Sequence, residues 1–380
     1  MPPISALPHL GDGELDAIAR ELDVIRDETL ADLGAADAAY IRRVIAVQRA
    51  LEVGGRGLLL GARFAPAAVA GGALLTLAKV LENMEIGHNV MHGQWDWMND
   101  PAIHSTTWEW DQASTALSWK RAHNVQHHTY TNVLGKDRDL GYSAMRVEPE
   151  QPWHPVYLSQ PVYFFLMALT FEWGIALYDM ELDAVRRGEK SREQVRAELL
   201  ALGRKAVRQL GKDFVVFPAL AGRRGARRAL AANVAANVLR NVWVHTIVFL
   251  GHIPEEAETF TEDQLDGESR GGWYVRQLLG SCNLDGSRLF HVLTGNLSFQ
   301  VEHHLFPDVP SNRYGQIAPR VRAVCERHGL PYHSGPLIRQ YRSVFRKVLK
   351  HALPTRPQPA PPRGVATWEP AEPPLAAQAA

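Results

Sequence analysis

The sequence predicts an all-α protein: an integral-membrane helical bundle with a cytoplasmic helical cap that carries a histidine-rich site. Three apolar segments, 57–78, 156–178 and 229–250, contain one Asp, Glu, Lys or Arg each. A helix rises about 1.5 Å per residue, so each segment can cross a hydrocarbon layer of about 30 Å. The second observation is that histidines cluster near the ends of these segments.

Residues 1–55 are predicted to form peripheral amphipathic helices. Leu15, Ile18, Leu22 and Ile25 recur at helical spacing, which is typical of a helix that buries one face. The first thirty residues lack a continuous apolar core, which argues against a cleaved secretory signal. Membrane insertion is therefore assigned to internal segments, within a domain at 56–350.

Residues 351–380 are predicted to be a disordered tail. Eight prolines follow Leu353, together with many alanines. Such a composition buries too little apolar surface to offset the entropy of ordering the chain.

Three histidine clusters have the spacing of metal ligands. They are His88 and His92; His123, His127 and His128; and His303 and His304. Residues four apart share one face of a helix, and imidazole binds iron, copper, nickel and zinc. In each adjacent pair the second ring points about 100° around the helix from the first, so one pair can serve two ions.

The strings HNVMH, HNVQHHTYTN and QVEHHLFP resemble the three histidine boxes of the integral-membrane fatty-acid desaturase family. The likeness covers residues 86–314, and GHNVMHGQWDWMNDP and GKDRDLGY resemble its bacterial branch. This resemblance implies two iron ions, O2 as co-substrate, and a cis double bond introduced into a fatty acyl-CoA or acyl-lipid. The seven box histidines are the implied metal ligands.

An eighth ligand is expected within the third apolar segment. Asn241 and His245 lie one helical turn apart and resemble the Asn-x-x-x-His element of membrane desaturases. The resemblance implies that His245 binds metal and that Asn241 supports the site. The alternative is a histidine held by helix packing, with His252 and His291 as weaker ligand candidates. Gln300 opens the third box, and its amide is a poorer iron ligand, so it is expected to contact a ligand instead.

Charged residues near the boxes have two interpretations each. Five carboxylates could orient the imidazoles or be ordinary surface groups: Glu85, Asp96, Asp137, Asp139 and Glu302. Lys136 and Arg138 could contact a phosphorylated headgroup or CoA, or could belong to a surface salt-bridge cluster of little energetic value.

The composition bears on partners. Asp and Glu balance Lys and Arg at 41 each, which gives no indication of nucleic acid binding. The sequence contains no His-Pro-Gly-Gly string of a fused cytochrome b5 domain, so electrons are expected from a separate donor, such as ferredoxin with an NAD(P)H reductase. The expected location is the inner membrane, with the boxes facing the cytoplasm.

The apolar segments conflict with the charge pattern. If 156–178 and 229–250 both cross the membrane, residues 181–228 face away from the histidines, yet they contain thirteen Lys and Arg against five in 84–155. Loops rich in these residues usually stay in the cytoplasm. Either one segment is re-entrant or interfacial, with the apolar run 214–222 as a possible aid, or the rule fails here.

Two other functions fit parts of this pattern. A membrane hydroxylase of alkyl or lipid substrates uses similar boxes, although Gln300 in QVEHHLFP favours desaturation. A non-enzymatic membrane protein could hold zinc or haem through histidine. Haem ligands would lie deep in facing spans, whereas these clusters lie at the predicted membrane edges.

Overall fold

Helices make up most of the chain that the computed structural model describes, namely residues 7, 10–186, 188 and 190–354. The α-helices there are α1 (Asp12–Ala31), α2 (Ala35–Leu60), α3 (Ala65–Leu81), α4 (Asn89–Met91), α5 (Ala116–Lys120), α6 (His128–Tyr130), α7 (Gln160–Tyr178), α8 (Leu182–Arg186), α9 (Arg192–Leu210), α10 (Phe217–Leu220), α11 (Gly222–His252), α12 (Arg270–Leu279), α13 (Arg288–Leu293), α14 (Gln300–Leu305), α15 (Tyr314–Arg327) and α16 (Leu337–Ala352).

Other regular structure is short. Three π-helical turns extend α-helices: Glu82–His88, Arg121–His127 and Gly211–Val216. The 3-10 turns are Asp96–Met98, Leu140–Ser143, Pro155–Ser159, Glu262–Leu265, Leu297–Phe299 and Ser311–Arg313. Strands β1 (Asn283–Asp285) and β2 (Ser334–Pro336) pair in parallel.

The predicted fold class is confirmed. Three helices are long and apolar enough to cross a membrane: Ala65–Met91, Pro155–Tyr178 and Gly222–His252. One predicted boundary is wrong, because the apolar segment 57–78 is not a single helix. Its first four residues end α2, the chain turns, and the next helix starts with Pro66 in its first turn and continues to Met91.

Helices α2 and α3 form the first hairpin. Gly55 and Gly71 face each other so closely that a Cβ on Gly55 would lie 3.0 Å from the carbonyl oxygen of Gly71. Small residues permit this close approach of two backbones. The boundary proposed at 55/56 falls inside α2, so the structure does not separate a peripheral segment there.

Residues 192–220 and α11 form the second hairpin. Arg121, two residues before the second box, lies 3.1 Å from Glu198 near the start of this segment. At its other end, a Cβ on Gly225 would lie 3.0 Å from the Arg63 nitrogen, and Arg228 donates to the Arg63 carbonyl. Both hairpins therefore turn at the same end, opposite the histidines; we call it the turn end.

Helix α7 does not run between the two ends. Gln160 at its start donates to the Val348 carbonyl at 2.7 Å, and the Tyr178 hydroxyl at its end donates to Asp139 at 2.6 Å. Between them, Thr170 leaves helical geometry with φ −115° and ψ 19°. The two traverses between boxes two and three are thus 192–220 and α11. This removes the charge conflict, since nine of the thirteen basic residues in 181–228 precede the turn end and four lie at it.

Buried ion pairs link the helices of the two hairpins to each other and to α7. Asp213, in a π turn, is fully buried and accepts from Arg56 at 2.6 Å and lies 2.9 Å from Lys79. Arg240 and Glu172 form a second buried ion pair. Removing one partner of such a pair leaves an uncompensated buried charge, so these pairs fix how the helices pack.

The cap closes over the histidine end. Leu15, Ile18, Leu22 and Ile25 are all buried, as their periodicity predicts, in a core shared by α1, α12, α14 and α15. At the other end of the chain, α16 continues to Ala352, so the predicted tail does not start at 351. Residues 355–380 of that tail lie outside the described residues.

Candidate metal centre

A π-helical turn contains histidines of each of the first two boxes. The helix that begins with α3 passes through the π turn Glu82–His88, and α5 passes through the π turn Arg121–His127. A π turn adds one residue to the helical repeat and is frequent at functional sites. Asn124 donates to the carbonyl of Met91 at 2.9 Å, which ties the two boxes to each other.

The third box lies on the short helix α14, where His303 and His304 are fully buried. The planes of their rings differ by 87° and their centroids lie 5.4 Å apart. The two rings therefore point towards different neighbours, as the helical repeat predicts for adjacent residues.

The structure brings all seven box histidines together. Possible ligand atoms lie within 4.8 Å of one another in each of three all-histidine groups: His88, His92, His123 and His303; His127, His252 and His304; and His128, His303 and His304. The third group shares one member with each of the other two. The donors therefore form two neighbouring sets, linked by box three.

One ring nitrogen of most of these histidines contacts a nearby acceptor or hydroxyl. The Nδ1 atoms lie near Asn89 Oδ1 for His88 (3.1 Å), Asp139 for His123 (3.4 Å), Asp137 for His127 (3.0 Å), the Gly280 carbonyl for His252 (2.9 Å), the Tyr314 hydroxyl for His303 (3.3 Å) and Gln277 Oε1 for His304 (3.1 Å). Contacts of this kind fix the orientation of a metal-binding ring and leave Nε2 free to bind.

Five buried ring nitrogens of the box histidines lack hydrogen-bond partners among the described residues. These are Nε2 of His92, His303 and His304, and both ring nitrogens of His128. Buried polar atoms without hydrogen bonds are costly, and metal ions bound in the two donor sets would give the Nε2 atoms a partner. Nitrogen-only donor sets suit first-row transition metals, so these residues fit the iron that the resemblance implies.

Electrostatics prepare the rings for metal. Burial lowers the pKa of His92, His123, His128, His303 and His304 well below 6.5, so these rings are neutral and offer a lone pair. For His127, burial favours the neutral ring, but the Asp137 and Asp139 charges outweigh it and raise the pKa to about 9. Without a metal ion this ring is therefore protonated; a metal ion would displace the proton from Nε2 and leave the Nδ1 proton towards Asp137.

Only two of the five candidate carboxylates contact box histidines. Asp137 and Asp139 hold His127 and His123. The other three bind elsewhere: Glu85 accepts from Ser311 at 2.7 Å, Asp96 from the Ser105 nitrogen at 2.8 Å, and Glu302 from Tyr332 at 2.8 Å.

His245 and Asn241 do not reach the cluster. The His245 ring packs among Phe164, Phe171 and Phe249, with centroids 4.8, 5.3 and 4.1 Å away. Asn241 donates to the Leu169 carbonyl at 3.0 Å. The physical reason is depth, because His245 lies seven residues, or about 10 Å, before the helix end.

His252, at that helix end, takes the place expected for His245. Its ring lies 4.7 Å from that of His127 and 4.3 Å from that of His304, centroid to centroid. Its position beside the predicted membrane edge, as for the boxes, is the sequence signal. The amide nitrogen of Gln300 lies 2.8 Å from His252 Nε2, so Gln300 does contact a cluster histidine. His291 lies apart and contacts the Ser298 hydroxyl at 2.7 Å.

Lys136 and Arg138 lie on the loop after box two. The Lys136 ammonium is 2.7 Å from Glu262, and both side chains are exposed. The Arg138 guanidinium lies over the Tyr178 ring at 4.6 Å and is 3.4 Å from Glu181. In these interactions neither side chain contacts a box histidine.

A cavity opens beside the cluster. His88, His123, His127 and His252 line one side of it, and its apolar wall includes Met84, Phe171, Ile175, Val244, Val248 and Leu297; polar side chains, among them Asn83 and Gln112, line the remainder. Val244 precedes His252 by eight residues, so this wall extends about 12 Å along α11 from the histidines. The cavity has the lining expected for an alkyl chain held against the metal groups.

Comparison with known proteins agrees with this geometry. The family model described as fatty acid desaturase matches residues 64–336. An NADPH-dependent stearoyl-CoA 9-desaturase of Mycobacterium tuberculosis is 47% identical over 356 residues, covering 93% of this chain and 83% of that protein. An sn-1 linoleoyl-lipid 6-desaturase of Synechocystis is 28% identical over 71% of this chain and 76% of its own length. The chain is therefore an enzyme of the fatty acid desaturase family.

Proposed function

We propose that this enzyme is a di-iron, O2-dependent desaturase that introduces a cis double bond into a fatty acyl-CoA. The observation that carries the proposal is the pair of adjacent imidazole groups beside an apolar cavity. His88, His92, His123 and His303 would hold one iron; His127, His252 and His304 would hold the other, with His128 between them.

Iron is proposed because an unactivated methylene yields hydrogen only to an activated oxygen species, which redox-inactive zinc does not supply. The reaction balances when two C–H bonds break on adjacent carbons and a C=C bond forms. O2 accepts the two hydrogens together with two electrons and two protons from a donor, which gives two molecules of water.

The residues of this chain would position the acyl chain and exclude water from the site. The apolar wall of the cavity, which includes Met84 and Leu297, would hold one carbon pair of the acyl chain beside the histidines and exclude water. This favours a single reaction geometry. Asp137 and Asp139 keep His127 and His123 oriented while the substrate enters and leaves.

Substrate and regiochemistry follow the M. tuberculosis relative in this proposal. That relative is an NADPH-dependent stearoyl-CoA 9-desaturase, and the similarity covers nearly the whole chain. We therefore infer the same acyl-CoA class and the 9,10 position. Acyl-lipid remains the alternative carrier, as in the Synechocystis relative.

Electrons would come from a separate NADPH-linked donor, such as a reductase with ferredoxin. We place the protein in the inner membrane with the histidine end in the cytoplasm, where NADPH is available. The charge distribution supports this orientation: the turn end carries five arginines, whereas the histidine end carries the five Lys and Arg of residues 84–155 together with Arg192 and Arg196 at the start of α9, and cytoplasmic flanks are the richer ones.

The test is product analysis in a host that lacks the 9,10 double bond. The full chain, expressed with a reductase and ferredoxin, should yield monounsaturated acyl chains, and mass spectrometry after double-bond derivatisation should place the bond at 9,10. His127→Ala should abolish the product. A hydroxylated chain would instead identify a hydroxylase, and product retained by His127→Ala would contradict the assigned iron ligands.

A further inference from the structure

The turn end carries an unpaired basic surface that the proposed reaction does not use. It consists of five exposed arginines, which we call the turn-end arginines: Arg63, Arg223, Arg224, Arg227 and Arg228. We propose that this surface binds the headgroups of anionic phospholipids in the leaflet opposite the histidines.

Sequence alone leaves this surface without counter-charge. No Asp or Glu occurs between Glu52 and Glu82, or between Asp213 and Glu255. Those two stretches contain both hairpin turns. Across the described part of the chain, none of the five arginines has a carboxylate within ion-pair distance, and Arg228 donates to the backbone carbonyl of Arg63.

The local arrangement concentrates positive charge. Arg223 and Arg227 are spaced i, i+4, as are Arg224 and Arg228, and like charges at that spacing destabilise a helix. All four lie in the first two turns of α11, whose amino end carries partial positive charge. The first turn contains no acidic residue. An anion from outside the chain would relieve this repulsion.

Length places these arginines at headgroup depth. Arg228 precedes His252 by 24 residues, or about 36 Å of helix, and Arg223 precedes it by 29 residues, or about 44 Å. A bilayer has a hydrocarbon core of about 30 Å and measures about 40–45 Å with its headgroups. If the histidines lie at one surface, the arginines therefore pass the hydrocarbon and reach the opposite headgroups.

Apolar side chains next to the arginines favour lipid over a soluble anion. Phe64 is 58% exposed and Leu220 is 61% exposed, and the Arg63 guanidinium lies over the Phe64 ring at 4.6 Å. Val215 and Val216 continue this exposed apolar surface towards the bundle centre. A basic rim above an apolar belt matches the boundary of an anionic leaflet.

The test uses the full chain in nanodiscs of phosphatidylcholine alone or with phosphatidylglycerol. Phosphatidylglycerol should raise the midpoint of thermal unfolding of the unmodified chain, and R223Q/R227Q should lose about 3 °C of that gain. R223K/R227K should keep it. The matched control is R192Q/R196Q, an exposed pair with the same spacing at the other end of the second hairpin, which should keep most of the gain.

Native mass spectrometry gives a second measurement that does not depend on unfolding. The unmodified chain should retain more phosphatidylglycerol than R223Q/R227Q after equal activation. The proposal would be overturned if phosphatidylglycerol affected R223Q/R227Q and the unmodified chain equally. It would also be overturned if R223Q/R227Q and R192Q/R196Q lost the stabilisation or the bound lipid to the same extent. Neither measurement requires turnover, so the outcome is independent of the proposed reaction.

Discussion

At the residue scale, the main correction is the exchange of His245 for His252. Both lie on α11 in sequences that suit a ligand, and resemblance favoured His245. The structure surrounds His245 with phenylalanine rings and places His252 beside His127 and His304. Helical geometry predicts which histidines within one box share a face. Whether a histidine from a distant helix joins the same site depends on where that helix ends, which the sequence does not show.

This exchange gives a direct prediction. His252→Ala should lower bound iron from about two to about one or fewer per chain, since it removes a donor from a three-histidine group. His245→Ala should keep both irons, although the lost packing among phenylalanines lowers stability. Iron analysis of the two purified variants checks this. Full iron in His252→Ala with loss in His245→Ala would restore the original assignment.

Lys136 permits a second test at this scale. Its pair with Glu262 is exposed and therefore weak, so a substrate phosphate can compete for it. Lys136→Ala should raise KM for acyl-CoA roughly 2–5-fold without loss of iron. Glu262→Gln is the control, because it releases Lys136 and should leave KM unchanged or lower. Unchanged KM in Lys136→Ala would exclude the contact.

At the element scale, the sequence predicted helix type better than helix ends. Period and apolar content indicated α1, α7 and α11. The turn within 57–78 was missed because Ala and Gly keep that stretch apolar throughout. The traverse 192–220 was missed because Arg204, Lys205 and Arg208 lower its hydropathy. Long basic side chains can extend to the membrane surface while their apolar stems stay among lipid. A search that rejects segments with several charged residues therefore misses such a helix.

The π turns were also beyond sequence reasoning, and they yield a prediction. Inserting one alanine after Gly87 should rotate His88 and His92 by about 100° relative to α3, because the π turn already absorbs one extra residue and a second one must enter the helical repeat. Bound iron should fall while helix content stays. Ile86→Val, which keeps the register, should retain iron. Iron analysis with circular dichroism checks both, and a fully loaded insertion variant would show that this register does not determine iron binding.

At the scale of the whole molecule, ion pairs bind α1 to the cap across more than 280 residues of sequence. Arg26 contacts Asp308, Arg320 contacts Glu28, and His328 contacts both Glu14 and Glu21. The sequence predicted an amphipathic α1 but not its partner, because such pairing depends on the completed fold. Exposed pairs contribute little singly, and their number favours one docked position.

His328 makes this docking sensitive to pH. Partial burial disfavours the charged ring, but hydrogen bonds to Glu21 and Glu14 outweigh it and raise the pKa of His328 above 6.5. Its stabilisation is therefore fully present below pH 6.5 and is lost as pH rises through the folded-state pKa. The unfolding midpoint of His328→Gln should lie below that of the parent at about pH 5.5 and approach it near pH 9. A constant difference would contradict this linkage.

The position of box three has a consequence for biosynthesis. Each all-histidine group found among the described residues contains His303 or His304, so a ribosome must translate as far as residue 303 before any such group can be complete. Both hairpins precede that point in the chain. Insertion into the bilayer thus comes before metallation, and a nascent polypeptide that stalls earlier has no complete all-histidine site for the metal.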